Sequence, residues 1–307
     1  MKFNLLLSVA FVLVFLCSNT FLFGQKLNKI TVEKGQIESF LDQEVPMISA
    51  HRGGRYIAGK PENSIEVFKY TLKKTPAILE CDVNMTKDSV LVLLHDYSVD
   101  RTTDGTGKIK DLYWTQARNL KLLDDFDKPT KYKIPTFKKT LKWARKKAIL
   151  SVDVKRGVPF ERVVEMVEKN RMEDYVFIIT YNLEDAQKVY ALNPNLQISV
   201  SIRNEEELQR MLKSGIPADN MVAFTGTKGI KPDLYTQLEE YGIPAIVGTM
   251  GNLDRQAKAN NETTYQEIFL KGGDILATDR PVEAAGMIRK MIGKKEIDLK
   301  NISGIKY

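Results

Sequence analysis

Two residue types that carry much protein chemistry are scarce in this sequence of 307 residues, which contains two cysteines and two histidines. Cys17 lies in an apolar N-terminal segment, and the second cysteine is Cys81. If the N-terminal segment is removed on export, one cysteine remains and an internal disulfide is excluded. A domain of this size can bury enough apolar surface to fold without such a bridge.

A clustered basic surface with interleaved aromatic side chains is also missing from the sequence. Lysine and arginine total 46 against 39 aspartates and glutamates, which gives a formal net charge of +7. The excess is spread along the chain, and short pairs such as Lys138-Lys139 are typical of solvated helix faces. Nucleic acid is therefore not an expected partner. The charge predicts at most a mild attraction for anionic small molecules or a weak association with membrane surfaces.

The N-terminus has an apolar run, residues 5–16, that is short for a membrane span. It follows Lys2 and precedes small and polar residues, a pattern typical of a secretory signal peptide. We predict a signal peptide at residues 1–25 and an exported mature protein, periplasmic or secreted, at residues 26–307. An uncleaved membrane anchor is the alternative, since the charge-free run is of marginal length.

Internal repeats, low-complexity tracts and long linkers are absent from the sequence, and short apolar runs instead alternate with amphipathic stretches. Strands are predicted at 47–50, 78–85, 149–154, 176–180, 197–202, 221–224, 245–249 and 274–278. Helices are predicted at 65–74, 160–169, 183–192, 205–213, 232–241, 265–270 and 282–292. Nearly continuous apolar strands that alternate with helices indicate a parallel sheet covered on both faces. Eight of them favour an α/β fold of the (β/α)8 TIM barrel type over an open doubly wound sheet.

One segment interrupts this alternation after the second predicted strand. It has a further apolar run at residues 90–94 and a turn-rich stretch at 100–107. We predict a small insertion at about residues 96–135, on the face of the barrel where such enzymes place their chemistry. Asn63, with Glu66 three residues later, predicts a capping box at the start of the first helix.

Candidate catalytic residues follow the first predicted strand directly. His51 and Arg52 fall at its C-terminal end, which is the catalytic rim of a barrel. Histidine is suited to proton transfer near neutral pH, and arginine offers a planar fork to phosphate oxygens. The second histidine, His95, follows the apolar run at residues 90–94.

Paired polar residues lie within two further predicted strands. Glu80 and Asp82 are two residues apart, so both carboxylates point to one face, which in a barrel is the interior. Two buried carboxylates repel each other unless a cation joins them, and oxygen ligands favour Ca²⁺ or Mg²⁺. Asp153 and Lys155 repeat the spacing, as a candidate third metal ligand and a candidate phosphate contact. Separately such features are common, but both histidines and three acidic residues are predicted to meet at one rim.

These motifs resemble the glycerophosphodiester phosphodiesterase family. The resemblance is dense in residues 47–107, which contain His51-Arg52-Gly53, Pro61-Glu62-Asn63-Ser64, Glu80-x-Asp82, His95-Asp96 and Arg101-Thr102-Thr103-x-Gly105-x-Gly107. It continues through Asp153-x-Lys155 to the segment at 274–281.

This resemblance implies a barrel, one divalent cation, and hydrolysis of a glycerophosphodiester to glycerol phosphate and an alcohol. It implies the following roles: His51 and His95 as the acid–base pair, Glu80, Asp82 and Asp153 as metal ligands, Arg52 and Lys155 as phosphate contacts, and Glu62 as a residue that positions the metal or the substrate.

The sequence departs from the family at two places. Asp153 stands where the family usually has glutamate, so a bridging water is one way for the shorter side chain to reach the ion. The segment at 247–254 lacks the tryptophan often found there. We expect this segment to line the pocket for the alcohol or glycerol group, although its two glycines also fit a simple tight turn.

Two other functions stay open from the sequence. A barrel with two histidines and a cation is also similar to phospholipase D- or phospholipase C-like enzymes that act on membrane phospholipids. A catalytically silent protein that binds polyol phosphates would keep the pocket but would not need both histidines. The sequence gives no indication of the oligomeric state.

Overall fold

A computed structural model describes residues 46–291, and the predicted signal peptide lies outside these residues. Eight parallel strands form a closed barrel, because the first strand pairs with both the second and the last. These strands are β1 (Met47–Ala50), β2 (Ile78–Met85), β6 (Leu150–Val154), β7 (Val176–Ile179), β8 (Gln197–Ser201), β9 (Met221–Phe224), β10 (Ala245–Gly248) and β11 (Ile275–Thr278). The predicted (β/α)8 barrel is confirmed, and the predicted strand ends differ from the observed ones by one residue or none.

Helices follow the barrel strands and cover the outside of the barrel. They are α1 (Ile65–Lys74), α3 (Phe137–Ala144), α4 (Phe160–Lys169), α5 (Leu183–Leu192), α6 (Glu205–Leu212), α7 (Pro232–Glu240), α8 (Asn252–Ala259), α9 (Thr263–Leu270) and α10 (Pro281–Met291). The prediction missed α3 and α8. Among the described residues, no helix combines the length and the apolar character that a membrane crossing needs.

Side chains along each barrel strand point alternately into the barrel and outward toward the helices, which gives two layers of buried side chains. Ile78 lies in the cluster that fills the barrel, whereas its neighbour Leu79 belongs to the larger core under the helices. The same alternation places Cys81 and Val83 in the outer core. Because side chains alternate along a strand, the residues between them, Glu80 and Asp82, point into the barrel.

The chain between β2 and β6 contains more than a crossover helix. The apolar run at residues 90–94 forms β3 (Leu91–Leu93), which pairs antiparallel with the end of β2. A hairpin of β4 (Lys121–Leu123) and β5 (Pro129–Lys133) follows, after the short helix α2 (Trp114–Ala117). Side chains such as Val99, Ile109 and Leu122 form a separate small cluster there. This segment therefore packs around apolar residues of its own.

The start of α1 differs from the prediction. Ser64, not Asn63, is the N-cap, because its hydroxyl accepts a hydrogen bond from the backbone N–H of Val67 at 3.1 Å. Asn63 adopts a φ of 56° and turns its side chain toward β2. The predicted capping box is therefore wrong: the N-cap lies one residue later, and the amide of Asn63 has another partner.

The turn after β1 requires glycine at position 53. Gly53 has a φ of 86°, and a Cβ there would lie 2.4 Å from Phe68 and 2.6 Å from Val67. We expect Gly53→Ala to lower the free energy of unfolding by about 2 to 4 kcal/mol, from overpacking and left-handed strain together. Urea denaturation measures this change.

Gly59→Ala is the matched control for that substitution. Gly59 also has a positive φ, 70°, but a Cβ at this position would have no atom within 4 Å. The loss should therefore be about 1 kcal/mol, from backbone strain alone. Equal losses for the two variants would contradict the packing argument.

Candidate active site

Three carboxylates lie side by side at the C-terminal end of the barrel. Glu80 and Asp82 on β2 and Asp153 on β6 are all buried, and one oxygen of each lies within 4.8 Å of the others. Asp82 and Asp153 are partners in the strand register. The structure thus brings together the three residues that the sequence assigned to a metal site.

Lys155 offsets part of this negative charge. Its Nζ lies 2.6 Å from Asp82 Oδ1 and 2.7 Å from Asp153 Oδ2. Burial lowers the pKa of Lys155, but Asp82 and Asp153 outweigh burial and raise the pKa above its ordinary value. Lys155 therefore stays charged between the two carboxylates.

The carboxylates respond differently to their surroundings. Burial raises the pKa of Glu80 well above its ordinary value, and the charges of Asp82 and Asp153 raise it further. Burial also acts to raise the pKa of Asp82, but Lys155, His95 and Arg52 outweigh it and lower the pKa. The local positive charge therefore stabilises Asp82 as an anion, but it does not offset the burial and repulsion that disfavour the charged form of Glu80.

A divalent cation fits the unsatisfied part of this cluster. Asp153 Oδ1 is buried and has no hydrogen-bond partner in the described part of the chain. A buried carboxylate oxygen without a partner costs free energy. Because two further carboxylates face it, the donor set matches the oxygen ligands that Ca²⁺ and Mg²⁺ prefer.

Asn63 fixes Asp82 from the loop after β1. Its Nδ2 donates to Asp82 Oδ2 at 2.6 Å, and its Oδ1 accepts from the backbone N–H of Asp82 at 2.9 Å. Both groups are buried. The two bonds explain the left-handed backbone of Asn63, since this conformation brings the amide against β2.

Arg52 connects the first loop to the carboxylates. Its backbone N–H donates to Glu80 Oε2 at 2.6 Å, and its Nη1 donates to Glu62 Oε1 at 3.0 Å. Its Nε is buried without a hydrogen-bond partner among the described residues and lies 3.6 Å from Asp82 Oδ2. The φ of Arg52 is 52°, so the backbone holds this arrangement in a left-handed conformation.

Glu62 lies among arginines. Besides Arg52, Arg101 donates to it through Nη1 at 3.0 Å and Nη2 at 2.8 Å, and Arg55 Nε lies 3.4 Å away. Burial acts to raise the pKa of Glu62, but the hydrogen bonds from Arg101 and the charge of Arg52 lower it. Glu62 therefore orients arginines and does not belong to the carboxylate cluster.

The two histidines are each held by an aspartate. His51 Nδ1 lies 2.7 Å from Asp279 Oδ1, and His95 Nδ1 lies 2.6 Å from Asp96 Oδ1. A carboxylate accepts the hydrogen bond, so each Nδ1 carries the proton and each Nε2 is left to bind or exchange one. This pairing orients both rings for acid–base chemistry.

His95 reaches the site through the segment that interrupts the strand–helix alternation. The apolar run before it forms β3, which runs back along β2. The N–H of Leu94 donates to the carbonyl oxygen of Asp82 at 3.0 Å, so His95 follows at the level of that carboxylate.

Arg101 joins the His95 side to Glu62. It donates to Asp96 Oδ2 through Nε at 2.7 Å as well as to Glu62. Burial acts to raise the pKa of Asp96, but hydrogen bonds from Arg101 and His95 outweigh it and lower the pKa to about 2. Asp96 is therefore an anion at neutral pH and a constant acceptor for His95.

Asp279 has a buried support of its own. The carboxylate of Asp254 accepts the backbone N–H of Asp279 at 2.9 Å, the hydroxyl of Thr278 at 2.8 Å and the hydroxyl of Tyr265 at 2.9 Å. This network fixes the turn after β11 and, through Asp279, the ring of His51.

From the sequence, no individual role was predicted for Asp279, Asp96 or Asp254, although Asp254 belongs to the segment at 247–254. A signal for the first was present, since Asp279 follows a barrel strand directly, as His51 does. Asp96 is the neighbour of His95 in the sequence. Nothing in the sequence indicates Asp254, because its partners come from two other segments.

A cavity of about 540 Å³ is lined in part by Asp279. Gly251 and Asp254 line it, together with residues that include Tyr56, Tyr70 and Arg255. Two residues of the segment at 247–254 therefore contribute to a cavity wall. The segment consists of the end of β10, a short turn and the start of α8.

Comparisons with known proteins agree on one family. The model of the glycerophosphoryl diester phosphodiesterase family matches residues 51–241 of this chain. A crystal structure of a glycerophosphoryl diester phosphodiesterase from Parabacteroides distasonis is 35% identical, with a TM-score of 0.76. The alignment covers 84% of this chain and 93% of that one.

Two further relatives support the comparison. A glycerophosphodiester phosphodiesterase from Caldanaerobacter subterraneus is 30% identical over 161 residues, which are 50% of this chain and 65% of the relative. A phosphodiesterase from Oleispira antarctica, solved with the product sn-glycerol-3-phosphate, is 16% identical and has a TM-score of 0.63. That alignment covers 80% of this chain and 98% of the other, and it shows a shared fold.

Cation binding by the carboxylate cluster can be measured as thermal stabilisation. We expect Ca²⁺ or Mg²⁺ at about 100 times its Kd to raise the Tm by about 5 to 10 °C, and a chelator to reverse this. Glu80→Gln should lose the rise because it removes one ligand charge, while the cation-free protein stays at least as stable.

Glu240→Gln, an exposed glutamate on α7, is the control and should retain the full shift. Differential scanning calorimetry at constant ionic strength separates specific binding from screening. A cation-induced shift in Glu80→Gln equal to that of the wild type would contradict the assignment of the cluster.

Proposed function

This chain belongs to the glycerophosphoryl diester phosphodiesterase family and is an enzyme of that class, and we propose that it works with one bound divalent cation and two histidines. One observation carries the proposal. His51 and His95, each oriented by an aspartate, meet three buried carboxylates at one end of a barrel. A phosphodiester needs these groups together, because charge must be offset while two protons move.

The phosphate group would lie between the first loop and β6. Arg52 Nε is a buried donor without a hydrogen-bond partner in the described chain, and the charged Lys155 approaches the same Asp82 carboxylate. Both can donate to non-bridging oxygens, on which negative charge increases during the reaction. Glu80, Asp82 and Asp153 would hold the cation, which when bound supplies further stabilisation of that charge.

Proton transfer is assigned to the two Nε2 atoms. One histidine takes a proton from the nucleophile, which is water or the neighbouring glycerol hydroxyl. The other histidine gives a proton to the oxygen of the leaving alcohol. Attack by the glycerol hydroxyl would form a cyclic phosphate first, and hydrolysis of that ring would give glycerol phosphate.

The product follows from this chemistry, and the cellular setting is proposed from the N-terminal sequence. We infer glycerol phosphate as one product, as in the Oleispira antarctica structure with sn-glycerol-3-phosphate. We also propose that the protein is exported, on the basis of the signal-peptide pattern at residues 1–25, and that its partner is a small soluble diester. Weak association with a membrane surface is compatible with the net charge of +7.

Loss of either histidine should abolish most turnover. We expect His51→Ala and His95→Ala each to lower kcat by about 10²- to 10⁴-fold, with unchanged circular dichroism and Tm within a few degrees. Asp279→Asn should lower kcat by at least about 10-fold, because the amide no longer fixes the tautomer of His51.

Asp219→Asn is the control for these variants, since this aspartate is exposed and precedes β9, at the end of the barrel away from the site. Steady-state kinetics on a water-soluble glycerophosphodiester provide the measurement. Turnover by His95→Ala close to that of the wild type would remove the two-histidine mechanism.

A panel of substrates separates this function from its alternatives. We expect release of glycerol phosphate from glycerophosphocholine or glycerophosphoinositol and little cleavage of phospholipids in liposomes, because the substrate is proposed to be a soluble diester. Chromatography of the products identifies both the alcohol and the phosphate released. Preferential liposome cleavage would instead favour a phospholipase-like enzyme, and the absence of any product would favour a binding protein.

A further inference from the structure

Tyr181 lies beside the carboxylate cluster although no motif includes it. It follows β7 after one intervening residue, and so lies at the same end of the barrel as the site. Its side chain is 61% exposed, yet its hydroxyl donates to the buried Asp153 Oδ2 at 2.9 Å. An exposed ring thus has its polar end inside the site.

The two oxygens of Asp153 have different surroundings. Oδ2 accepts from both Tyr181 and Lys155 Nζ, the latter at 2.7 Å. Oδ1 is buried and has no hydrogen-bond partner among residues 46–291. Because the terminal torsion of an aspartate is soft, two donors on one oxygen decide which way the carboxylate faces.

Other exposed tyrosines at this end of the barrel do not make such a contact. Tyr56 and Tyr97 are 57% and 59% exposed, and neither hydroxyl has a hydrogen-bond partner in the part of the chain that is described. The bond from Tyr181 is therefore a specific feature and not a general property of rim aromatics.

We propose that Tyr181 is a positioning residue, which holds Asp153 by Oδ2 and thereby directs Oδ1 toward a cation beside Glu80 and Asp82. The proposal rests on the metal site of the proposed function. Partners of metal ligands commonly affect cation affinity strongly, because they fix the orientation of the ligand. Aspartate is shorter than glutamate by one methylene, so its carboxylate has less freedom to compensate if the donor is lost.

The direct test is cation binding by Tyr181→Phe in the full mature chain. Isothermal titration with Ca²⁺ and with Mg²⁺ should show a Kd raised by about 10-fold for the preferred cation. Phenylalanine keeps the ring, so the change reports on the hydroxyl alone. Tyr97→Phe is the matched control, with similar exposure and no such bond, and its Kd should equal that of the wild type.

A second variant tests whether Tyr181 acts through Asp153. In an Asp153→Ala background there is no side-chain oxygen for Tyr181 to hold, so adding Tyr181→Phe should change the Kd by less than about 3-fold. A full 10-fold loss in that background would show that the hydroxyl acts independently of Asp153, and would overturn the proposal.

Kinetics distinguish the remaining roles. At saturating cation, kcat of Tyr181→Phe should return to within about 2-fold of the wild type, since only affinity for the cation is lowered. An unchanged Kd with a raised KM would place the hydroxyl on the substrate and overturn the proposal.

Two outcomes for the wild-type protein separate this proposal from the proposed function. If the wild type shows no saturable cation binding, the proposal is overturned together with the metal site. If it binds the cation but hydrolyses no diester, only the proposed function is overturned.

Discussion

Three carboxylates buried within 4.8 Å of one another impose the main constraint on this molecule. At an effective dielectric constant of about 20, each pair of charges at this distance repels by roughly 3 kcal/mol. Burial adds a desolvation cost for every charged oxygen. The raised pKa of Glu80 expresses both costs. Positive charge must therefore lie among these residues, and the surrounding structure is arranged to provide it.

The barrel provides this charge from segments that are distant in sequence. Lys155 comes from the end of β6, Arg52 from the loop after β1, and each contacts or approaches Asp82. Their geometry requires backbone strain, since Arg52 and Asn63 both have positive φ values without being glycine. Such strain is commonly retained where it positions functional groups. Here it places one amide N–H on Glu80 and one carboxamide on Asp82.

The segment between β2 and β6 completes the site. It carries His95 and Asp96, and Arg101 connects Asp96 to Glu62, which also accepts a hydrogen bond from Arg52 of the first loop. A second connection runs from Arg55, after β1, to Asp125 in the turn between β4 and β5. Because this segment has a small apolar cluster of its own, it can hold these side chains in place. The two histidines are thus oriented by separate aspartates, one directly after β11 and one in the segment after β3.

The sequence by itself determined the eight barrel strands and the inward direction of Glu80, Asp82 and Asp153, because strand periodicity and apolar burial are local properties. It also indicated that both histidines belong at one rim. Only the tertiary structure decided which group orients His51, because its aspartate is 228 residues away, and which carboxylate Asn63 reaches across a loop. It also decided the antiparallel return that delivers His95 and the hydroxyl that Tyr181 places on Asp153. These contacts depend on how separate segments pack, and no spacing within one segment encodes them.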